Sequence, residues 1–406
     1  MKKRIILITN SFPYGKGEIS FVMPEIPFIL EKFNLTIISK NSKDERTSDL
    51  DERIDVFRYD DCEIDLKFII KNLKYIFSKD FIDNIIYNDF SVEKIIKSLK
   101  YTIRAKHFSD YVSNIRMKYK EPVIYYSYWN DYAAYGVARM AYKTSDKCIS
   151  RIHGADLYKR KENGYYQPYK KAMSHYCDLI IFISNEGRDY FINNFNPEDS
   201  KKLIVQYLGT TKISERMNEI LYDNVCRILT LSNLNEGKRV HRVAESLALI
   251  GNQKIEWTHI GDGSTEEYVK MIAKEKLTCK NNIKYDFKGR MSNKEVKMYF
   301  ENNPVDLLIN VSISEGLPVS MMEAASYGVP IIGTDVGGVK EIIQKNNGYL
   351  IDKDFKNKDL SDAIFRYCSL HNVDKKKMRN ASYQIWEDSF KAEKNFRYFM
   401  EIIDKL

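Results

Sequence analysis

Along the whole 406-residue chain, short apolar runs alternate with longer stretches in which apolar residues recur at the spacing of an α-helix. The apolar runs are continuous rather than alternating, a pattern typical of parallel strands that are buried on both faces. They form two series, at residues 5–9, 35–39, 123–127, 148–153, 179–183 and 204–207, and then at 227–231, 256–260, 283–288, 307–311 and 330–334. Two such series, each interleaved with helices, predict two doubly wound α/β domains.

The polar stretch 209–224 separates the two series and predicts the domain boundary. We therefore expect a first domain over residues 1–210 and a second domain over residues 222–380. The last part of the chain has helical spacing, and we expect a helix at about 381–406 to pack back on the first domain. In open parallel sheets ligands lie beyond the carboxyl ends of the strands, so the residues directly after predicted strands are the informative ones.

Composition is that of a soluble globular protein, with 44% hydrophobic and 30% charged residues. No apolar run approaches the ~18 residues of a membrane-spanning helix, and we expect a cytoplasmic protein. The six cysteines are scattered without a Cys-x-x-Cys pair, which argues against a disulfide framework and a zinc ribbon.

The net charge of +8 is concentrated between Leu66 and Lys120, where 12 lysines and arginines stand against five acidic residues and are interleaved with aromatic ones, Phe68 among them. Such a segment suits an anionic membrane surface or a phosphorylated acceptor. The segment is equally explained as the solvated face of a helix, and both interpretations stay open. No nucleic-acid-binding motif accompanies the charge, so we expect no nucleic acid partner.

The loop after the predicted strand 307–311 carries the run Ser-Glu-Gly-Leu-Pro, which starts at Ser314, and a helix is predicted to begin at 318–320. A helix start offers free N–H groups and a positive dipole end, which suit a diphosphate. Gly316 lets the backbone approach a ligand closely. Glu315 precedes this helix and Glu323 lies in its second turn, and carboxylates accept hydrogen bonds from sugar hydroxyls.

Two loops of the first domain also carry candidate chemistry. Gly15 and Gly17 follow the first strand in a loop that either presents backbone donors to a phosphate or substrate or is an ordinary tight turn. His153 ends the strand 148–153 and precedes a glycine, a favourable position for a functional histidine, whereas Arg151 and Asp156 are weaker candidates. The aromatic run 125–135 either stacks on an acceptor sugar or packs in the core.

The stretch 310–343 resembles the donor-site signature of retaining glycosyltransferases of the GT-B fold, family 4 (glycosyl transferases group 1) type, including its Glu-x7-Glu element. The segments that start at Ser232, His259 and Phe287 are similar to other loops of that family, in the same order and spacing. The resemblance implies the GT-B architecture, in which two facing Rossmann-like parallel-sheet domains leave a cleft between them.

The resemblance also implies residue roles. Lys238 would neutralise the donor diphosphate, Glu323 would bind the ribose hydroxyls, and Glu315 would contact the transferred sugar. The same comparison assigns the backbone at Gly316, Leu317 and Pro318 to the diphosphate and sugar, the loop at Arg290 to the base, His153 to the donor sugar, and the loop of Gly15 and Gly17 to the cleft.

One departure from the family pattern concerns the diphosphate. The family's usual arginine partner of the lysine is Asn233 here, and asparagine cannot supply the charge. Part of the diphosphate clamp is therefore missing or is supplied by another group, with Arg239 and Arg290 as candidates.

The resemblance implies a retaining hexosyltransferase, which transfers a sugar from a UDP- or GDP-sugar to a saccharide or lipid-linked acceptor in bacterial surface polysaccharide synthesis. Such an enzyme would need neither a metal ion nor a cofactor. It would be cytoplasmic or lie at the inner face of the membrane. Two alternatives stay open. One is a nucleotide-sugar epimerase or phosphorylase of the GT-B type. The other is a non-catalytic subunit of a polysaccharide-assembly complex, which only the Asn233 departure supports.

Overall fold

A computed structural model describes residues 2–15, 17–40, 43–46, 50–61, 64, 70, 73–87, 91–160, 164–221 and 223–406. The chain divides into two compact units, one formed by Met1–Tyr207 with Phe396–Leu406 and the other by Leu208–Asn395. Cys62, Leu66 and Phe68 lie outside the described residues.

The first unit contains a parallel sheet of seven described strands in the order β3-β2-β1-β4-β5-β6-β7. The strands are β1 (Arg4–Thr9), β2 (Asn34–Ser39), β3 (Asp55–Arg58), β4 (Val123–Ser127), β5 (Lys147–Ile152), β6 (Leu179–Phe182) and β7 (Leu203–Val205). The helices are α1 (Ile19–Val22), α2 (Ile26–Lys32), α3 (Lys79–Tyr87), α4 (Val92–Arg116), α5 (Tyr132–Ala141), α6 (Gly154–Leu157), α7 (Lys170–Tyr176) and α8 (Asn185–Phe195). Short 3-10 turns lie at Met23–Glu25, Leu73–Phe77 and Ser200–Lys202.

The second unit contains a parallel sheet of six strands in the order β10-β9-β8-β11-β12-β13. The strands are β8 (Val225–Leu231), β9 (Lys254–Ile260), β10 (Ile283–Phe287), β11 (Leu307–Asn310), β12 (Ile331–Thr334) and β13 (Gly348–Ile351). The helices are α9 (His241–Leu247), α10 (Glu266–Leu277), α11 (Asn293–Asn302), α12 (Val319–Ser326), α13 (Val339–Ile342), α14 (Asn357–Cys368) and α15 (Asn372–Ser389), and a 3-10 turn lies at Glu236–Lys238. The last helix, α16 (Ala392–Asp404), begins in this unit, and its residues from Phe396 on belong to the first unit.

Both sheets have the continuous apolar strands that the sequence predicts. Every residue of β4 and of β11 is buried, as expected for central strands that are covered by helices on both faces. In each unit the strand order reverses beside the first strand, β1 or β8, which is the topology of a doubly wound domain. The predicted fold class, two Rossmann-like α/β domains, is confirmed.

The C-terminal segment differs from the single helix expected at 381–406. It forms α15 and α16, and residues 381–395 lie with the second unit, whereas Phe396–Leu406 lie with the first. The break follows Phe390, whose carbonyl accepts a hydrogen bond from Thr210 N at 2.9 Å. A Cβ on Gly209 would come within 2.2 Å of Ala392 Cα, so only glycine allows this close approach of the two segments.

The final residues of the chain complete the core of the first unit. Phe399, Met400 and Ile403 pack in one apolar cluster with Ile5 and Leu7 of β1. All five side chains are fully buried, so this end of α16 covers one face of the first sheet.

Candidate functional site

The loop that follows β11 contains Glu315, and the helix that follows this loop, α12, contains Glu323. Helix α12 begins at Val319, directly after Pro318, as the sequence predicts. The loop that follows β12 packs against the loop that follows β11, since Gly338 N donates to Gly316 O at 2.8 Å. Gly337 has a φ of +52°, and a Cβ there would come within 1.9 Å of Glu315 O, so glycine is required where the two loops meet.

Lys238 and Glu315 form an ion pair at this loop. The distance from Lys238 Nζ to Glu315 Oε1 is 2.6 Å, and Asn310 Nδ2 donates to the same oxygen at 3.2 Å. The Glu315 side chain is 10% exposed and that of Lys238 is 27% exposed. The pair therefore brings the predicted diphosphate lysine and the predicted sugar glutamate together beside the start of α12.

Glu323 occupies a more buried position inside α12. Burial raises the pKa of Glu323 to about 7, and the nearby Lys297 and the hydrogen bond from Asn293 oppose that shift. Asn293 Nδ2 lies 2.5 Å from Glu323 Oε1. Lys297 donates to Thr211 Oγ1 at 2.6 Å, and burial lowers the pKa of its amine. Asn293 and Lys297 were missed in the sequence, although they sit one helical turn apart on α11.

The two arginines considered as substitutes for the missing diphosphate arginine have different surroundings. Arg239 donates to Val311 O at 2.8 Å and to Ser312 O at 3.3 Å, and its guanidinium lies over the Phe355 ring. Arg239 therefore holds the loop that leads to Glu315. Arg290 is exposed and makes no ion pair with any described carboxylate, and Asn233 is also exposed.

The loops after β8 and β9 pack tightly against each other. Leu234 N donates to Asp262 O at 2.7 Å. Beneath them, Trp257 Nε1 donates to Thr230 Oγ1 at 2.9 Å, and that hydroxyl lies 2.9 Å from Nδ1 of the fully buried His259. Burial lowers the pKa of His259 to about 4, so the imidazole is neutral at physiological pH and acts as a support for these loops.

In the first unit, His153 follows β5 and precedes α6. Its ring stacks on Tyr128 at 5.3 Å between centroids and lies 4.5 Å from the ring of Trp129. Neither ring nitrogen has a hydrogen-bond partner among the described residues. Burial lowers the pKa of His153 to about 3, and the charge of Arg151 adds to the effect. His153 is therefore a neutral imidazole with unused hydrogen-bonding capacity.

Asp156 holds the backbone of this histidine and that of Asn130. Its carboxylate accepts from His153 N and from Asn130 N, both at 2.6 Å. Burial raises the pKa of Asp156 to about 6, and the charge of Lys170 opposes the shift. Lys170 in turn donates to the backbone and side-chain oxygens of Asn130. Asp156 thus orders the loop after β5.

Arg151 is enclosed in the core. Its guanidinium pairs with Glu25 at 2.8 Å and donates to Tyr128 Oη at 3.1 Å, and both charged side chains are about fully buried. In the aromatic run 125–135, Tyr125, Tyr126, Tyr128 and Tyr135 are fully buried, which favours packing over sugar stacking for those four rings. Trp129 and Tyr132 are partly exposed.

The loop that contains Gly15 and Gly17 directs several of its backbone donors to other groups of the same unit. Gly15 N lies 3.4 Å from Glu45 O, and the N–H groups of residues 10–12 donate to the side chain of Glu18. Glu18 was missed in the sequence, because a lone glutamate after a glycine-rich loop carries no pattern of its own.

The described residues contain neither a cluster of metal ligands nor a membrane-spanning helix. Within the described ranges, no three histidine, cysteine, aspartate or glutamate side chains are grouped as metal ligands would be. Of the helices in the described part of the chain, none has both the length and the apolarity needed to cross a bilayer.

Residues 211–384, most of the second unit, match the profile of the Glycosyl transferases group 1 family. The chain is 25% identical over 213 residues to the amylovoran biosynthesis glycosyltransferase AmsK of Erwinia amylovora, and the match covers 50% of this chain and 51% of AmsK. It is 27% identical over 224 residues to the O-antigen biosynthesis glycosyltransferase WbnH of Escherichia coli, covering 52% and 60%. The chain thus spans about half to three-fifths of the length of these curated relatives.

Among solved structures, Anabaena Alr3699/HepE in complex with UDP superimposes with a TM-score of 0.67 over 100% of both chains, at 16% identity. At that identity the likeness concerns the fold. Together with the two parallel sheets, it defines the chain as a protein of the GT-B fold.

Proposed function

We propose that this chain is a retaining glycosyltransferase, which transfers a hexose from a nucleotide-diphosphate sugar to an acceptor hydroxyl during the assembly of a bacterial surface polysaccharide. The observation that carries the proposal is the Lys238–Glu315 pair beside the start of α12. It lies inside the region that matches the glycosyltransferase profile, and the curated relatives named above act in amylovoran and O-antigen synthesis.

The leaving group of such a reaction is a nucleoside diphosphate, whose developing negative charge needs stabilisation. Lys238 supplies a positive charge, and the first N–H groups of the eight-residue helix α12 supply backbone donors and the positive end of a dipole. The exposed Arg290 is the second cation in this proposal, since Arg239 is directed at backbone carbonyls. These groups would perform the charge stabilisation without a metal ion.

The two glutamates have different tasks in the donor site. Glu315 keeps one carboxylate oxygen on Lys238 and Asn310, and its other oxygen is left to accept hydrogen bonds from hydroxyls of the transferred sugar. Glu323 accepts from the ribose hydroxyls of a UDP- or GDP-type donor. Those hydroxyls would stabilise the ionised form of a carboxyl whose pKa burial raises to about 7.

His153 contributes a neutral imidazole in the first domain. Because burial keeps its pKa near 3, the ring can donate one hydrogen bond and accept another, but it supplies no positive charge. We assign it the binding of a sugar hydroxyl. In this proposal the acceptor hydroxyl attacks the sugar from the face on which the phosphate leaves, with assistance from that phosphate, and the anomeric configuration is therefore retained. No side chain is assigned as a nucleophile.

The acceptor in this proposal is a lipid-linked saccharide at an anionic membrane surface. From the 3-10 turn Leu73–Phe77 to the start of α4, the described residues expose six large apolar side chains, namely Leu73 (43%), Phe77 (78%), Ile82 (43%), Ile86 (75%), Val92 (68%) and Ile96 (44%). We call this set the apolar face. Lys74, Lys79 and Lys100 are exposed in the same segment, and apolar side chains with lysines suit the headgroup region of an anionic bilayer.

The experiment that tests the function has two stages. Melting temperature is measured with UDP-, GDP- and ADP-sugars, because a ligand that binds the native state raises it. Transfer of the stabilising donor's labelled sugar to lipid extracts is then compared for the wild type and Glu315→Gln. Acceptor-dependent transfer that the substitution abolishes supports the proposal, whereas an isomerised donor or phosphate-dependent release supports an epimerase or a phosphorylase. If Glu315→Gln still supports polymer synthesis in cells that need the protein, the chain is a non-catalytic subunit.

A further inference from the structure

The carboxylate of Glu18, a residue that is only 3% exposed, accepts five hydrogen bonds inside the first domain. Its Oε1 accepts from Asn10 N at 3.1 Å and from the indole Nε1 of Trp129, and its Oε2 accepts from Phe12 N at 2.7 Å, Ser11 Oγ at 3.0 Å and Ser11 N. Every partner is a donor, so the site is built for a carboxylate, which has acceptor positions only.

These contacts join two neighbouring strand ends. Asn10, Ser11 and Phe12 follow β1 directly, and Trp129 lies just beyond β4, which pairs with β1 in the sheet. The Trp129 ring is 4.5 Å from the ring of His153. One carboxylate therefore connects the glycine-rich loop, the indole and the histidine whose nitrogens have no described partner.

Successive backbone N–H groups that converge on one point form a concave anion site in many proteins. In this domain the side chain of Glu18 fills that site, so the N–H groups of residues 10–12 are already engaged. A substrate phosphate would have to displace a buried carboxylate to reach them. The backbone at residues 10–12 thus serves the loop's own structure.

We propose that Glu18 is a positioning residue, which acts through Trp129 and the loop after β1 to fix the wall of the substrate site around His153. The inference rests on the proposed function, in that its kinetic consequences require transfer activity. Glu18 touches neither substrate nor reacting atoms in this role. Its loss would let the loop and the indole move away from His153, and small displacements of this kind cost up to roughly a hundredfold in rate.

Substitution of Glu18 by glutamine and by alanine should have different consequences. In Glu18→Gln an amide NH2 replaces one oxygen, and either oxygen position faces at least two donors, so an N–H would point at an N–H. In Glu18→Ala the donors remain and the carboxylate is gone, which leaves a space that a small carboxylate such as formate can enter. Formate should therefore restore the alanine variant and not the glutamine variant.

The test compares the wild type, Glu18→Ala, Glu18→Gln and Trp129→Phe, with the exposed Glu52→Ala as the matched control. Steady-state kinetics give kcat and KM for donor and acceptor, with and without sodium formate, against sodium chloride at equal ionic strength. Acrylamide quenching reports on Trp129, because the other two tryptophans, Trp257 and Trp386, are at most 2% exposed. Melting temperatures show whether each variant is folded.

We expect kcat/KM to fall roughly tenfold to a hundredfold in both Glu18 variants and less in Trp129→Phe. Formate should raise kcat/KM and reduce acrylamide quenching in Glu18→Ala alone. Unchanged kcat/KM in a folded Glu18→Ala, or formate rescue of the melting temperature without rescue of kcat/KM, would overturn the proposal. If Glu18→Ala does not fold, unchanged kinetics in Trp129→Phe overturn it. If the wild type transfers no sugar, the proposed function fails. The positioning role is then tested by acrylamide quenching alone: formate that reduces quenching of Trp129 in Glu18→Ala supports it, and formate that has no effect on quenching overturns it.

Discussion

Lys238 Nζ lies 2.6 Å from Glu315 Oε1, although 77 residues separate them in the chain. The lysine comes from the turn after β8 and the glutamate from the loop after β11, and these two strands are neighbours in the second sheet. The parallel sheet thus brings a cation and an anion of the proposed donor site into contact. Binding of a diphosphate there would give Lys238 a second anionic partner.

The first prediction concerns this pair. Lys238→Met should weaken UDP binding about tenfold or more, because a charge-assisted contact to the diphosphate is lost. It should also lower the free energy of unfolding by about 1–2 kcal/mol, since it leaves a largely buried Glu315 carboxylate without its cation. Isothermal titration with UDP and urea unfolding measure the two effects.

The double variant Lys238→Met/Glu315→Gln separates these two effects. It should recover stability, because the unpaired carboxylate is gone, but it should not recover UDP affinity. Recovery of UDP affinity in the double variant would mean that Lys238 acts only as the partner of Glu315 and not on the diphosphate.

The second prediction is a pH dependence at Glu323. Burial holds its pKa at about 7 in the folded protein, above the ordinary value of 4.5. Between these values the unfolded chain releases the proton while the folded protein retains it, so stability falls as pH rises through this window. Glu323→Gln removes that penalty, which is about 3 kcal/mol at pH 8 and largely absent below about pH 4.5.

Urea unfolding of Glu323→Gln and the wild type at pH 5 and pH 8 measures this difference. The variant's advantage should be larger at pH 8, while its UDP affinity should be lower. The exposed Glu267→Gln is the matched control for the substitution itself. An advantage that is larger at pH 5 than at pH 8 would contradict the assigned direction of the Glu323 shift.

The third prediction concerns the charge state of His153. Its pKa near 3 means that the imidazole stays neutral at every pH from 5 to 8. In nitrogen-15 spectra of histidine-labelled protein, the signals that disappear in His153→Asn should not shift over this range. A titration midpoint between pH 5 and 8 for those signals would show that the ring is solvated and can carry a positive charge.

The fourth prediction distinguishes the two arginines near the proposed donor site. Arg239→Ala should lower the melting temperature, because it removes hydrogen bonds to Val311 O and Ser312 O and the contact with Phe355. Arg290→Ala should leave the melting temperature almost unchanged and weaken UDP binding, since the exposed guanidinium has no carboxylate partner among the described residues. The reverse pattern would assign the diphosphate to Arg239.

The fold was predictable where the signal is local. Central strands such as β1, β4 and β11 are continuous apolar runs, because helices cover both of their faces. Two of the edge strands, β3 and β13, were missed. β3 begins and ends with a charged residue, and β13 has only four residues, of which the first is glycine, so neither forms a clear apolar run.

The candidate site was also predictable where its signal is local in the sequence. Glu315, Lys238 and His153 lie in the segments that follow strands, so topology predicts their positions at the carboxyl ends of the sheets. The pairing of Glu323 with Asn293 and of Glu18 with Trp129 depends on side chains that are 30 and 111 residues apart in the chain. No spacing in the sequence encodes such contacts, and only the packed structure reveals them.

The last prediction concerns the apolar face, the set Leu73, Phe77, Ile82, Ile86, Val92 and Ile96. Burying such side chains in a bilayer interface is favourable at about 25 cal/mol per Å² of apolar area, and nearby lysines add attraction to anionic lipid. The wild type should therefore float with vesicles that contain anionic lipid at low salt. Phe77→Ser/Ile86→Ser should float much less, whereas Val373→Ser, which changes an apolar residue of the other domain that is 65% exposed, should float like the wild type. Lys74→Glu/Lys79→Glu should make flotation weaker at low salt and leave the small binding to neutral vesicles unchanged.

A wild type that remains with the soluble fraction at low salt would remove the membrane from the proposed function, while the donor and its transfer would stand on the second domain alone.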